Sequence, residues 1–150
     1  ITFAADSKLK TIGKNAFEGN KYLVQIHLPD NVETIGINAF AFCAELEEIV
    51  LSAALKEIPN SMLANDSKLK RMIMQEGVQA IGDSVITSNN AMEELTIPAT
   101  VKSIGNATFQ GMKALKTLTF AEGSQLETID SGEFLIDNKA SIIASSGVRA

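Results

Sequence analysis

Residues 23–45 read LVQIHLPDNVETIGINAFAFCAE. The apolar positions of this stretch, Leu23, Ile26, Leu28, Val32, Ile35, Ala39 and Phe40, recur with the same spacing from Leu46, Leu69, Met92 and Leu115, each start lying 23 residues after the last. A fixed period in this range is the signature of stacked coils, in which no unit can bury its apolar edge alone and each covers its neighbour. The expected architecture is therefore a solenoid forming one domain that grows by adding coils.

The spacing inside the unit predicts its local structure. Ile26 and Leu28 are two apart and bracket an outward position, as do Ile49 and Leu51, or Leu95 and Ile97, which is strand periodicity. Strands at the same place in successive coils are expected to stack in parallel. Pro29 ends the strand, and Asp30 and Asn31 supply turn residues. Val32 and Ile35, followed by Gly36, predict a second, short extended segment closed by a turn requiring glycine, repeated at Gly13, Gly82 and Gly105 and replaced by Pro59 in coil three. Asn15-Ala16-Phe17 and Asn38-Ala39-Phe40 then predict the start of a single helical turn, with asparagine as its cap.

The coils are expected near residues 1–22, 23–45, 46–68, 69–91, 92–114 and 115–134, together a solenoid of residues 1–134. Residues 135–150 lose the pattern and are expected as an irregular end or partial cap, with Ile142-Ile143 the one pair suited to a last strand. Coil one lacks its leading leucine, so the chain reads as an excised piece of a longer protein. Coils one and six each carry two extra residues in the turn, in AADSKL and FAEGSQLETI, expected to bulge as longer loops; Leu126, Ile129 and Phe134 complete coil six. Coil three places Met62-Leu63, and coil four Val85-Ile86, where coil two has Ala39-Phe40, and coil four also carries Met72 and Met74 at strand positions. These substitutes are flexible or β-branched and of similar volume.

Composition argues against several functions. The net charge is −5 and no basic run is longer than Lys70-Arg71, so a phosphate-binding surface for nucleic acid is not expected. No apolar run approaches the roughly 18 residues that span a bilayer, so no membrane insertion is expected from this segment. His27 and Cys43 are the single histidine and the single cysteine, too few for a zinc site or for histidine-based catalysis. GxSxG, GxGxxG and phosphate-loop patterns are missing. No catalytic residue, metal or cofactor is expected, and the chain does not read as an enzyme. Cys43 is expected to be a buried structural thiol.

The carboxylate pairs Glu47-Glu48 and Glu93-Glu94 have a plainer use than acid–base chemistry. Equivalent positions in successive coils read Glu47-Glu48, Lys70-Arg71, Glu93-Glu94 and Lys116-Thr117, so the sign alternates along the stack. Opposite charges are expected to meet across strands about 4.8 Å apart, each pair adding roughly 0.2–1 kcal/mol and fixing register. The outward position between the two core residues of each strand reads Thr2, His27, Val50, Ile73, Thr96 and Thr119. With its flanking row it forms the candidate binding face: Gln25, His27, Glu48, Val50, Arg71, Ile73, Glu94, Thr96, Thr117 and Thr119, in which Val50 and Ile73 are the expected anchors.

The pattern LxxIxLPxxVxxIGxxAFxxCxxL, best shown from Leu23 to Leu46, resembles the 23-residue leucine-rich repeat of the BspA-like type. The likeness rests on Leu28-Pro29 and Ile97-Pro98 after the strand, the Ile-Gly turn, the Ala-Phe pair and Cys43; Asn20, Asp66, Asn89 and Met112 depart from it at the cysteine position, and Ser52, Gln75 and Ala121 at the proline position. The resemblance implies an α/β-type solenoid, a right-handed coil with parallel strands on one face, short helical turns or extended segments on the other, and about six coils. It also implies a noncatalytic protein-interaction or adhesion module of a secreted or cell-surface bacterial protein, located outside the cell or on its surface. The partner implied is a protein, such as a host extracellular-matrix or surface protein, with a glycan as the other ligand class. The alternative is a structural spacer or scaffold attached to an enzyme or glycan-binding domain in a longer chain.

Overall fold

The structure, a computed structural model, describes residues 1–130 and 141–144, and of residues 143 and 144 only the backbone. Its strands fall into two series. The first contains β2 (Gln25–His27), β4 (Glu48–Val50), β6 (Arg71–Ile73), β8 (Glu94–Ile97), β10 (Thr117–Phe120) and β12 (Ser141–Ala144). The second contains the two-residue strands β1 (Thr11–Ile12), β3 (Thr34–Ile35), β5 (Glu57–Ile58), β7 (Ala80–Ile81), β9 (Ser103–Ile104) and β11 (Thr128–Ile129). All pairings are parallel, which gives a β-solenoid of about five turns.

The register follows the repeat. Gln25 faces Glu48 and Glu48 faces Arg71, steps of 23 residues, whereas Ser103 faces Thr128, a step of 25 that absorbs the extension of coil six in its loop. Inward residues alternate with outward ones, so Leu23, Ile26, Leu28, Val32, Ile35, Ala39 and Phe40 and their equivalents form one continuous core. Phe17 of coil one stacks on Phe40 of coil two, ring centroids 5.1 Å apart. Toward the ends this cover thins: Leu126 is only partly buried and Ile129 is 37% exposed. Within the segment expected as an irregular end, β12 pairs with β10 and carries Ile142 and Ile143. Phe134 and the remainder of 135–150 lie outside the described residues.

One expectation is corrected. No helix occurs among the described residues, and the stretches expected as helical turns are rows of tight turns. Asn15 and Asn38 are not caps: they sit in the left-handed region at φ 58° and 57°, as do Ser61, Ser84 and Ala107 at the same place in later coils. Four residues on, Gly19, Phe42, Asn65, Ser88 and Gly111 adopt it again. Asparagine and glycine tolerate this geometry best, so the residue type that also caps helices here serves a different purpose. Two left-handed residues per turn prevent helical propagation and aim alternate N–H groups at the next coil. Asn15, Phe17 and Gly19 donate to the carbonyls of Ile37, Ala39 and Ala41 at 3.0, 2.7 and 2.8 Å, and Ser61, Leu63 and Asn65 repeat the arrangement onto Asp83, Val85 and Thr87.

Each strand series is interrupted once among the described residues. In the second series β1 pairs with β3, and β5, β7, β9 and β11 form a separate ladder. The cause is Pro59. At this position Gly36, Gly82 and Gly105 each donate an N–H to the preceding coil at 2.8–2.9 Å, and proline has none to give. The neighbouring bond from Asn38 to Asn60 is stretched to 3.4 Å accordingly. In the first series β2–β4–β6 and β8–β10–β12 are separate, so the ladder opens between coils four and five. Here the strand positions carry Met72 and Met74, and behind them lies a small void bordered by Met72, Met74, Val85, Ile86 and Phe109. Unbranched methionines and the β-branched pair fill the space less completely than the leucine and phenylalanine of coil two. The two interruptions lie at different coil junctions, so at each junction the other series remains bonded.

Candidate interaction face

The first strand series presents the outward rows predicted to carry function. Gln25, Glu48 and Arg71 align in register, as do His27, Val50 and Ile73; beyond the opening, Glu94 aligns with Thr117 and Thr96 with Thr119. The ten candidate residues thus share one face, in two blocks divided between β6 and β8. Val50 and Ile73 are half-buried and adjacent. Thr2, expected to start the row, is exposed and lies outside any strand.

The alternating charges pair within each block and not across the opening. Glu47 meets Lys70 at 2.9 Å, Glu48 meets Arg71 at 3.0 Å, and Glu93 meets Lys116 at 2.7 Å. The Lys70 ammonium, through its hydrogen bond and charge, holds the Glu47 carboxyl below its ordinary range. Two pairs that the alternation also predicts, Lys70 with Glu93 and Arg71 with Glu94, do not form, because the strands carrying them are not laddered. Lys68 with Glu45 and Lys10 with Glu33 add further links between neighbouring coils. His27 has a partner that sequence spacing did not reveal: its Nε2 lies 2.6 Å from Glu48 Oε1, so Glu48 holds both His27 and Arg71. The separation of 21 residues is diagonal to the register and invisible to a search for equivalent positions.

This arrangement makes a test. Arg71→Glu places a like charge opposite Glu48, and the melting temperature is expected to fall by about 3 °C at low ionic strength and by less than half of that in about 1 M salt. A fall independent of salt would remove charge pairing as its cause.

Beneath the face, one column of the core is polar. Cys43 is fully buried; its Sγ donates to Phe17 O at 3.2 Å and its N–H donates to Asp66 Oδ1 at 2.7 Å. Burial and the neighbouring Asp66 push the thiol up to about 11, which keeps it protonated and unreactive near neutrality. Asp66 occupies the cysteine position of the next coil and is itself fully buried, with Oδ2 lacking a partner. Burial drives its carboxyl up to about 8, against the lowering effect of the Cys43 N–H. Asn89 follows, donating through Nδ2 to Leu63 O at 2.9 Å and Ile86 O at 2.6 Å. The sequence marked Asp66 only as a departure from a cysteine; its burial comes from the coil above. No group of three or more histidine, cysteine, aspartate or glutamate side chains is placed to hold a metal among the described residues. No helix there is long and apolar enough to cross a membrane.

The repeat pattern of the BspA type leucine-rich repeat region matches in six copies, over residues 1–116 and 86–149. The chain belongs to the BspA-type leucine-rich repeat family. Among solved structures, this BspA-type chain is similar to a leucine-rich repeat protein of T. pallidum, with 26% identity and a TM-score of 0.72 over 81% of this chain and 64% of that one. It is also similar to a leucine-rich cell surface protein of Faecalibacterium prausnitzii A2-165, with 28% identity and a TM-score of 0.76 over 84% of this chain and 34% of that one. A leucine-rich repeat protein of Bacteroides ovatus ATCC 8483 shares the fold at 19% identity, with a TM-score of 0.55 over 94% of this chain and 50% of that one. The BspA-type chain therefore spans less than two thirds of each of these proteins. No curated protein matches it. Leucine-rich repeats are typically protein-interaction modules, and the fold is generally a noncatalytic scaffold.

Proposed function

We propose that this chain is a noncatalytic interaction or adhesion module of a secreted or cell-surface bacterial protein, and that its strand face meets a protein partner such as a host extracellular-matrix protein. The observation that carries this reading is the outward pair Val50 and Ile73, two aliphatic side chains in direct register and half-open to solvent within a row of polar neighbours. A patch of this composition at the centre of a solenoid face is where an anchor residue of a partner gains most from exclusion of water. The F. prausnitzii protein, described as a cell surface protein, supports the location proposed.

The test is retention on immobilised extracellular-matrix proteins and on mucosal glycans, comparing the unaltered chain with Val50→Asp/Ile73→Asp after circular dichroism has shown both to be folded. Retention on a protein ligand that falls at least tenfold in the double variant is expected. Equal retention would remove this face, and retention on glycans alone would replace the protein partner by a carbohydrate. A second reading, a spacer or scaffold for a domain elsewhere in a longer chain, is favoured by the internal satisfaction of the face's charges, since Glu48 already holds both His27 and Arg71. Failure of both the unaltered chain and the double variant to bind any ligand would leave that reading in place.

A further inference from the structure

The opening between β6 and β8 is a cleft of about 690 Å³ in the candidate face. Its floor and walls include Met72, Ile73, Met74, Thr96 and Pro98, and Lys70, Arg71, Glu76, Glu93 and Glu94 stand around it. It is an open groove rather than an enclosed cavity, and its size admits one large side chain. Resting on the proposal that this face binds a protein, we infer that the cleft receives a basic side chain, arginine or lysine, carried on an extended segment of the partner, with Glu94 as its counter-ion.

Three observations lead there. The first is charge. Both basic residues at the cleft are already engaged with carboxylates on the other side, Lys70 with Glu47 and Arg71 with Glu48, and Glu93 is engaged with Lys116. Glu94 is exposed and its carboxylate has no partner, the arginine at the equivalent place in the preceding coil being held by Glu48, and Glu76 meets only the Ala99 N–H, at 3.3 Å. The uncompensated charge at the cleft is therefore negative, and an acidic ligand would have to break an existing pair to find a cation. The second is the lining. Met72, Ile73, Met74 and Pro98 offer a bed for the methylene stem of arginine or lysine, whose charged head then reaches the carboxylate at the rim. Methionine adapts its shape to such a stem at little cost. The third is the main chain. Where intact ladders bond, as from Leu28 N–H to Val50 O and from Leu51 N–H to Ile73 O, the equivalent bond from Met74 N–H to Thr96 O is not made, nor is that from Glu94 N–H to Lys70 O. β6 and β8 remain neighbours, so no strand inserts between them, and the carbonyls left unpaired there are acceptors for the donors of a guanidinium or ammonium head.

The cleft can be read directly, since two of the five methionines border it. With 13C-methyl-methionine protein, the capped pentapeptide acetyl-TVRVT-amide is expected to shift the Met72 and Met74 methyl signals saturably while those of Met62, Met92 and Met112 stay in place. The acetyl-TVEVT-amide counterpart is expected to shift none. Glu94→Gln, a change at an exposed side chain, is expected to weaken the arginine peptide at least tenfold, its melting curve confirming the fold. Equal shifts from the glutamate peptide, no saturable shift, or an unchanged titration in Glu94→Gln would overturn the assignment. Should the arginine peptide fail while Val50→Asp/Ile73→Asp still abolishes retention of a whole partner, the face stands and the cleft falls. Should the peptide titrate while Val50→Asp, a change outside the cleft, leaves retention of a whole partner as before, the cleft stands and the larger face falls.

Discussion

Asp66→Asn is expected to raise the melting temperature by about 10 °C at pH 8 and to leave it nearly unchanged at pH 4.5. The native carboxyl is held up to about 8 by burial, against 3.8 for an exposed aspartate. A raised carboxyl binds its proton more tightly in the folded chain than in the unfolded one. Between these two values the folded state keeps a proton that the unfolded state has released, so stability falls as pH rises through the window and levels off above about 8. At 1.36 kcal/mol per unit the full difference is on the order of 5 kcal/mol, an upper bound that local relaxation lowers. Asparagine carries no charge to bury. It also suits the column: Cys43 Sγ donates to the carbonyl of Phe17 and Asn89 Nδ2 to that of Leu63, each 26 residues back, and the same step from residue 66 leads to Phe40. An amide there keeps the acceptor for Cys43 N–H and points a donor at a main-chain oxygen. The check is a pair of melting curves at each pH. Curves for the two proteins that run parallel from pH 4.5 to 8 would exclude a buried carboxyl as the source of the pH dependence.

Gly36→Ala is expected to cost about 3 kcal/mol and to lower the melting temperature by roughly 6–12 °C, while Gly13→Ala is neutral or slightly stabilising. The two glycines occupy the same place in successive coils and neither has a positive φ. They differ in what lies behind them. A Cβ on Gly36 would land on the Gly13–Lys14 peptide of the preceding coil, whereas a Cβ on Gly13 meets nothing within 4 Å. Backbone cannot swing aside as a side chain does, so coils one and two would have to part, and the 2.8 Å bond from Gly36 N–H to Ile12 O would lengthen with them. Chemical denaturation of both variants decides this. Equal losses would mean that turn conformation rather than close approach demands glycine.

The comparison also locates what the repeat could and could not convey. Residues whose burial follows from the 23-residue period alone, such as Ile26, Leu28 and Phe40, were legible because each coil sees the same surroundings as the next. The glycine after Ile35 was legible as a requirement, but its reason was not, since the clash it avoids is with a chain segment 23 residues earlier. Asn15 and Asn38 are ambiguous in sequence because a cap and a left-handed turn favour the same residue, and only the main-chain bonds between coils decide between them. The 23-residue period predicts one continuous row for the candidate face. Its division falls where Met72 and Met74 border a small void, a property of side-chain volume summed over two coils that no single position declares. Glu94 consequently changed from one member of an alternating series into its odd one out.

The turn rows described above have one more result. At every junction where they are seen, the N–H groups of one coil point to the carbonyls of the coil that follows it in sequence, with no bonds of this row running the other way. This row therefore has a donor edge and an acceptor edge and its peptide dipoles add along the stack, while the second strand series donates the opposite way, from Gly36 to Ile12 and from Gly82 to Ile58. A coil turned upside down would set donors against donors. Length can change only by whole units inserted the same way round, so a protein built on this plan is extended or shortened like a chain of identical couplings, and its two ends can never be interchanged.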